Sequence, residues 1–307
     1  MAEPIHSFSE VTLLITHYNR SRSLERLLKS FQQLGCAFGD IVVSDDGSKA
    51  EHVDYLKTLQ SKYSFQLITT EKNRGLGNNN NKGQDAVKTP YTLYVQEDFD
   101  PKEKFIVPLK DSLSILKNRP DIDIARYYAY FRYPFLKPFE HGFSEMVFKI
   151  WYPGYYKFFQ YSDHPHLRRS SFFQKFGRYT EGVDSDTTEY RMCLSFIRNK
   201  GKGIYYNEFS SLFDQLNTSD EPSTADFRKE WKTRKNVFIQ LLRGIYLQYK
   251  FFKFNNTSYA FFASLSLPVL ACFSTRFNLA STVSRSFSCN SVSIISLSLT
   301  GLTEPST

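Results

Sequence analysis

Cysteine is scarce in this sequence of 307 residues: four in all, Cys36, Cys193, Cys272 and Cys289, with no C-x-x-C pair. That excludes a disulfide scaffold and a zinc ribbon and makes a reducing cytosol the expected compartment. Long apolar runs are missing as well. A spanning helix needs about 18 or more uncharged apolar residues, and the nearest approach, 259–273, is broken by Ser264, Ser266 and Pro268. The first ten residues have neither a basic start nor an apolar stretch, so no secretory signal is expected. Internal repeats are absent. Neither sign of charge dominates, since 39 Lys and Arg against 31 Asp and Glu leave +8. The basic residues do not gather around the motifs described below, which excludes a dedicated nucleic-acid binder. Apolar residues at 41% and charged residues at 23% are ordinary globular usage and exclude wholesale disorder. Aromatics are what the chain has in excess: 20 Tyr, 29 Phe and 2 Trp, 17% of all residues.

Two periods alternate along the first hundred residues. The apolar run 11–16 reads as a buried strand, and 23–34 places Leu24, Leu27, Leu28, Phe31 and Leu34 at helical spacing with Ser23 as N-cap. A strand over 41–43 ends in the turn cluster Asp45-Asp46-Gly47-Ser48. A helix over 53–63, a strand over 65–69, a polar-faced helix over 78–87 and a strand over 91–95 follow. This alternation predicts right-handed βαβ units, a mostly parallel sheet flanked by helices, and a ligand beyond the carboxyl ends of the strands. Helices are also expected over 105–117 and 187–199 and a strand over 204–206, while the aromatic stretch 127–161 has no readable period. Residues 226–254 spell one long helix. Trp231, Phe238, Leu241, Leu242, Ile245, Tyr249 and Phe252 form its apolar stripe, opposite Arg228, Lys229, Lys232, Arg234, Lys235, Arg243, Lys250 and Lys253. Such a helix suits an anionic membrane surface. The expected division is a catalytic domain over 8–225, a basic amphipathic helix over 226–255 and a Ser-rich, poorly ordered tail over 256–307.

Four strand ends carry the chemistry. Thr16-His17-Tyr18-Asn19-Arg20 follows the first strand and Asp45-Asp46-Gly47-Ser48 the second. Asn73-Arg74-Gly75-Leu76-Gly77, with Asn81-Lys82-Gly83, follows the third, and Glu97-Asp98-Phe99-Asp100 the fourth. In this order and spacing, over roughly residues 11–105, they resemble the inverting glycosyltransferases of family 2, whose α/β fold is the Rossmann-like GT-A fold. The resemblance implies a nucleoside diphosphate sugar donor, UDP-sugar favoured, held by Thr16, Tyr18, Asn19, Arg20, Asp45, Asp46, Asn73, Gly75 and Asn81. It also implies Mg2+ or Mn2+ on Asp98, with Glu97 or Asp100 second. The physical chemistry agrees. A carboxylate at a strand end accepts hydrogen bonds from a base N–H or ribose hydroxyls, the role given to Asp46 with Asp45 in support. A diphosphate repels a bare acidic cluster, so a hard cation belongs between them. A plainer account stands beside this one: Asp-Asp-Gly-Ser is a common tight turn, and residues 78–81, four consecutive Asn, make a helix cap and a solvated face.

A second constellation runs through Glu181, Asp184, Asp186 and Glu189 into Arg198 and Gly201. It resembles the family segment in which an acidic pair opens a helix and supplies the base that deprotonates the acceptor. Glu189 matches the first acid and Tyr190 replaces the second; Asp186 and Asp184 are rivals for the role, and helix capping is the alternative use for such acids. Arg168 and Arg169 are expected to fork onto the diphosphate. His164 and His166 lack a third ligand and are not read as a metal site. The Q-x-x-R-W signature of processive synthases is absent. The expected activity is therefore a single sugar addition to a glycan or lipid-linked glycan acceptor in surface polysaccharide or lipopolysaccharide assembly, at the cytoplasmic face of the membrane. Two rivals stay open: an inactive donor-binding relative, since Phe99 and Tyr190 replace acids, and a nucleotidyltransferase of similar fold.

Overall fold

A computed structural model describes residues 6–217, Glu221 and 237–255. The 226–236 part of the expected helix and the whole 256–307 tail, with Cys272 and Cys289, lie outside the described residues. In chain order the elements are β1 (His6–His17), α1 (Ser21–Gln33), β2 (Cys36–Asp45), α2 (Ala50–Tyr63), β3 (Gln66–Ile68), α3 (Leu76–Asp85), β4 (Tyr91–Gln96) and β5 (Phe99–Pro101). Then come α4 (Ile106–Asn118), β6 (Ile124–Arg126), β7 (Leu136–Pro138), β8 (Phe143–Met146), β9 (His166–Arg169), α5 (Phe172–Phe176), α6 (Ser185–Arg198), β10 (Gly203–Tyr206), β11 (Phe213–Gln215) and α7 (Val237–Asn255).

The main sheet has the order β3-β2-β1-β4-β9-β6-β10-β8-β7. Seven of its nine strands run in one direction and only β8 and β9 are reversed. The apolar runs of β1 and β4 follow from their place at the centre: Val11, Leu13, Leu14, Ile15, Leu93 and Val95 are fully buried between helical layers. Helix α1 covers one face with Leu24, Leu27, Leu28 and Phe31, the stripe its spacing predicts. It begins at Ser21, however, and Ser23 is not its N-cap; Arg20 stands there and makes no side-chain cap. A distant carboxylate, that of Glu221, takes over the first turn.

Helix α3 corrects a second expectation. It is polar in sequence yet buried, with Asn78, Asn79, Asn80 and Asn81 all under 10% exposed. Polar side chains are admitted to an interior when they find partners. Each of the four amides here donates at least one hydrogen bond, although Oδ1 of Asn78 and of Asn80 is buried with no hydrogen-bond partner. Asn79 donates to the His17 carbonyl at 3.2 Å and accepts from the Ser44 hydroxyl at 2.7 Å. Asn81 donates to the Tyr179 carbonyl and accepts from its N–H, both at 3.0 Å. The run is a hydrogen-bonded clasp, not a solvated face.

Part of the aromatic stretch is core, while Tyr130 and Trp151 within it are exposed. Tyr127, Tyr133, Phe158 and Tyr161 are at most 1% exposed; Tyr127 packs edge-on against Phe105 and Phe143, and Tyr161 lies tilted against Phe172 and Phe196. Helix α7 docks on α6 through Leu247 and Phe251, and the Tyr190 hydroxyl donates to the Leu247 carbonyl at 3.2 Å. Leu241, Leu242, Ile245 and Tyr249 from the expected stripe are instead 51–60% exposed. Arg243 and Lys250, expected opposite, lie over the rings of Tyr155 and Tyr190. No described helix is long and apolar enough to cross a membrane.

Candidate functional site

At the carboxyl ends of β1 and β2 a buried imidazole fixes the loops. His17 Nε2 accepts the Arg20 N–H at 3.1 Å, so the ring proton sits on Nδ1 and is donated to Asp45 Oδ1 at 2.8 Å. Asp45 is fully buried and also accepts from Thr69 Oγ1 at 2.8 Å and from the Ser48 N–H and hydroxyl. Burial pushes this carboxyl up, and the hydrogen bonds from His17, Ser48 and Thr69 outweigh it, holding it well below the usual carboxylate range. Its oxygens are therefore occupied from within: Asp45 is a brace. Asn19, in the left-handed region at φ 53°, clasps the same turn, its N–H donating to Ser48 Oγ at 2.7 Å and its Oδ1 accepting from the Lys49 N–H at 2.8 Å. Thr16 is buried, its hydroxyl bonded to Tyr94 Oη at 3.0 Å, and Tyr18 is half-buried on the loop.

Asp46 gathers the third loop. Its two oxygens accept the N–H groups of Arg74 and Gly75, each at 2.9 Å, and Gly75 also donates to Asn73 Oδ1 at 3.0 Å. Burial raises the Asp46 carboxyl, opposed by those N–H groups and by Lys82. Two glycines make the approach possible. Gly47 sits at φ 67°, where a Cβ would also overlap the backbone of Lys72, and a Cβ on Gly77 would overlap the Thr180 carbonyl. The 178–181 segment thus lies directly on α3. Glu181 accepts from Asn78 at 2.8 Å and Asn81 at 2.9 Å and lies 3.5 Å from Arg74.

The acidic motif at the end of β4 faces Arg20. The guanidinium stands 3.4 Å from Asp98 and 3.7 Å from Glu97, all three side chains nearly buried. Burial pushes Glu97 up to about 8, reinforced by Asp98 and opposed by Arg20. Such a crowded pair is what a divalent cation relieves. Among the described residues no three His, Cys, Asp or Glu side chains converge to hold a metal by themselves, so Glu97, Asp98 and Asp100 do not form one cluster. One or two carboxylates beside substrate phosphates is a normal donor set for Mg2+, and Glu97 with Asp98 fits that shared kind of site. Asp100, half-buried on β5, has an oxygen, Oδ1, with no hydrogen-bond partner. Phe99, where the family pattern carries an acid, is fully buried against Tyr128 and Phe213.

The acids of α6 separate by position. Asp184 is the N-cap, accepting the Thr187 N–H at 2.9 Å, and Asp186 is exposed in the first turn. Glu189 is half-buried and accepts the Asp163 N–H at 3.1 Å. Because His166 at the start of β9 pairs with Tyr94 at the end of β4, this segment lies at the same edge as the acidic motif. Tyr190 is a core aromatic, which accounts for its departure from an acidic pair.

Arg168 and Arg169 are not turned to a ligand at that edge. Arg168 is fully buried, donating to Gln84 Oε1 at 2.8 Å and to the hydroxyls of Tyr161 and Tyr179 at 3.3 Å, which in turn donate to Asp163 Oδ1. Arg169 donates to the Ile122 and Arg119 carbonyls at 3.1 and 3.0 Å and closes the end of α4. The expected diphosphate contacts are thus a core cation and a helix stop. Two cavities of about 200 and 340 Å3 lie at the opposite edge, around Asp123 and Lys175 and around Met146 and Gly203.

Four likenesses, to a family and to known proteins, bear on this geometry. The family model "Glycosyl transferase family 2" matches residues 12–180. The cholesterol galactosyltransferase of Borreliella burgdorferi is 27% identical over 136 residues, 43% of this chain and 36% of that protein; the match spans about a third of that relative's length. A crystal structure of S. aureus TarS, residues 1–349, in complex with UDP-GlcNAc aligns at a TM-score of 0.52 with 14% identity, over 70% of this chain and 61% of that one. A second TarS crystal structure aligns at 0.51 with 15% identity, over 69% and 37%. At such identities the likeness is one of fold.

Proposed function

Because the chain belongs to glycosyl transferase family 2, we propose that it is a glycosyltransferase that moves a single sugar from a nucleoside diphosphate sugar to an acceptor hydroxyl with inversion. The observation that carries this is the convergence, at one sheet edge, of the Asp46-bound 73–75 loop, the Arg20–Glu97–Asp98 cluster and Glu189. The TarS complex with UDP-GlcNAc supports a uridine diphosphate donor. The Borreliella relative, a cholesterol galactosyltransferase, supports a membrane-borne acceptor; the acceptor we propose is a glycan or lipid-linked glycan of surface polysaccharide or lipopolysaccharide assembly.

Within this reading Glu189 takes the acceptor proton as the hydroxyl oxygen attacks the anomeric carbon opposite the leaving diphosphate. Arg20 sits where negative charge builds on that diphosphate, and Asp46 holds the loop that frames it. Mg2+ or Mn2+, when bound on Glu97 and Asp98, would supply neutralisation of the leaving group. The test is calorimetry with UDP. Wild type should bind in Mn2+ and lose most affinity in chelator, and Asp98→Asn should bind equally weakly in both. Equal wild-type affinity with and without metal would remove the cation from the reading.

Helix α7 supports peripheral attachment to an anionic membrane surface at the cytoplasmic face. Its apolar stripe points outward and Lys253 adds charge near its end. The full chain should float with vesicles containing anionic lipid at low salt, and Leu241→Ser with Ile245→Ser should abolish flotation. A full chain that stays at the bottom of the gradient contradicts the membrane role.

A further inference from the structure

A segment from far along the chain returns to the strand ends. Strand β11 pairs antiparallel with β5, Gln215 opposite Phe99. The Leu216 N–H donates to the Asp98 carbonyl at 2.8 Å, and Gln215 Nε2 donates to Asp98 Oδ2 at 2.8 Å. Arg20 Nη2 donates to Asn217 Oδ1 at 2.6 Å and to the Glu221 carbonyl at 3.2 Å. The Glu221 carboxylate, only 5% exposed, accepts the Arg22 N–H at 2.9 Å, the Ser23 N–H at 2.8 Å and the Ser23 hydroxyl at 2.6 Å.

Helix α1 has no acid in its first turn and no side-chain cap of its own. Glu221 therefore satisfies N–H groups that every helix leaves open, and its charge meets the positive end of the dipole. Capping alone would need nothing more. Yet the same segment holds both members of the closest ion pair in the cluster, Asp98 through Gln215 and Arg20 through Asn217 and Glu221. With Nη2 pinned, Nη1 is turned to Glu97 and Asp98. Nε is buried with no hydrogen-bond partner, an open donor on a guanidinium that matches phosphate oxygens.

We propose that Asn217 and Glu221 are positioning residues of the donor site, holding the Arg20 guanidinium beside Asp98 so that its remaining donors meet the donor diphosphate. This rests on the donor-site reading given above. It extends that site to a segment some 200 positions away in sequence, outside the strand-end motifs.

The experiment is a double-mutant cycle by calorimetry on the full chain, with UDP in saturating Mn2+. Asn217→Ala, which removes the side-chain acceptor of Arg20, should weaken UDP binding roughly 10- to 100-fold, as loss of an outer-shell partner does. Glu221→Ala, which removes the carboxylate that ties the Arg20-binding carbonyl to the first turn of α1, should weaken it in the same direction. In an Arg20→Ala background the same changes should cost almost nothing, because the residues act through Arg20. Lys175→Ala, which breaks the pair with Asp123 at the opposite edge, should lower the melting temperature without moving UDP affinity. Should Glu221→Ala fail to fold, Asn217→Ala decides alone, since Asn217 is exposed. Wild-type affinity in Asn217→Ala, or equal losses with and without Arg20, would overturn the positioning role. If that happens while Asp46→Ala still impairs UDP binding, the donor site stands and only this inference fails; no UDP binding by wild type would overturn both.

Discussion

Glu189→Gln is expected to bind nucleotide as wild type does and to transfer sugar about 10² to 10⁴ times more slowly. The amide keeps an oxygen for the Asp163 N–H, which Glu189 accepts at 3.1 Å, so the local fold has no reason to change. What it loses is the ability to take a proton. Initial rates of UDP release, measured with acceptor and alongside UDP calorimetry, separate the two effects. Asp184→Ala supplies the contrast. That carboxylate caps α6, and its loss should cost about 1 kcal/mol of stability and little turnover. Undiminished turnover in Glu189→Gln would pass the role of base to Asp186 or to no side chain.

Arg168→Met is expected to destabilise the domain by about 3 to 5 kcal/mol, the range seen when one partner of a buried charged network is removed. The guanidinium is fully buried between Tyr94, Phe172 and Phe173, and it bonds to Gln84, Tyr161 and Tyr179. Without it, Asp163 keeps its two tyrosine hydroxyls but loses the only cation in this hydrogen-bonded group. Burial already raises the Asp163 carboxyl, and with the cation gone it should rise further. Denaturant unfolding measures the loss. UDP affinity of the folded protein should be unchanged, because Arg168 does not reach the strand-end loops. Weakened UDP binding without loss of stability would restore Arg168 as a phosphate contact.

Those two residues mark where the sequence was legible and where it was not. Strand–helix alternation over the first hundred residues depends on local periodicity, and β1, α1, β2, α2, β3, α3 and β4 all fall where the periods put them, within a few residues. The motif order at the strand ends was equally local, and the choice of Glu189 rests on its match to the first acid of the family's pair, in the helix that Asp184 caps. Burial of polar groups, by contrast, is decided by partners elsewhere in the chain. The Asn run looked solvated because its partners are in β1, β2 and the 178–181 segment. Arg168 looked like a ligand contact because an arginine in a short strand gives no sign that a glutamine and two tyrosines await it. Strands β6 to β9 are three or four residues long, too short for a period to show among so many aromatics. His17 stands inside the first strand-end motif, but only the hydrogen bonds at its two ring nitrogens, one accepted and one donated, identify it as a brace. Asn217 and Glu221 carry no local signal at all.

Strand β9 has a consequence for how the chain is made. It lies between β4 and β6, antiparallel to both, so the edge of β4 has no neighbour until residue 169 has left the ribosome. A nascent chain that has completed the first four strands therefore carries an exposed, apolar edge of the kind that recruits other strands. Synthesis at about 5–20 residues per second leaves it open for several seconds. Truncations ending near residue 100 should aggregate, and codon changes that slow translation between β4 and β9 should lower soluble yield even though they leave every amino acid unchanged.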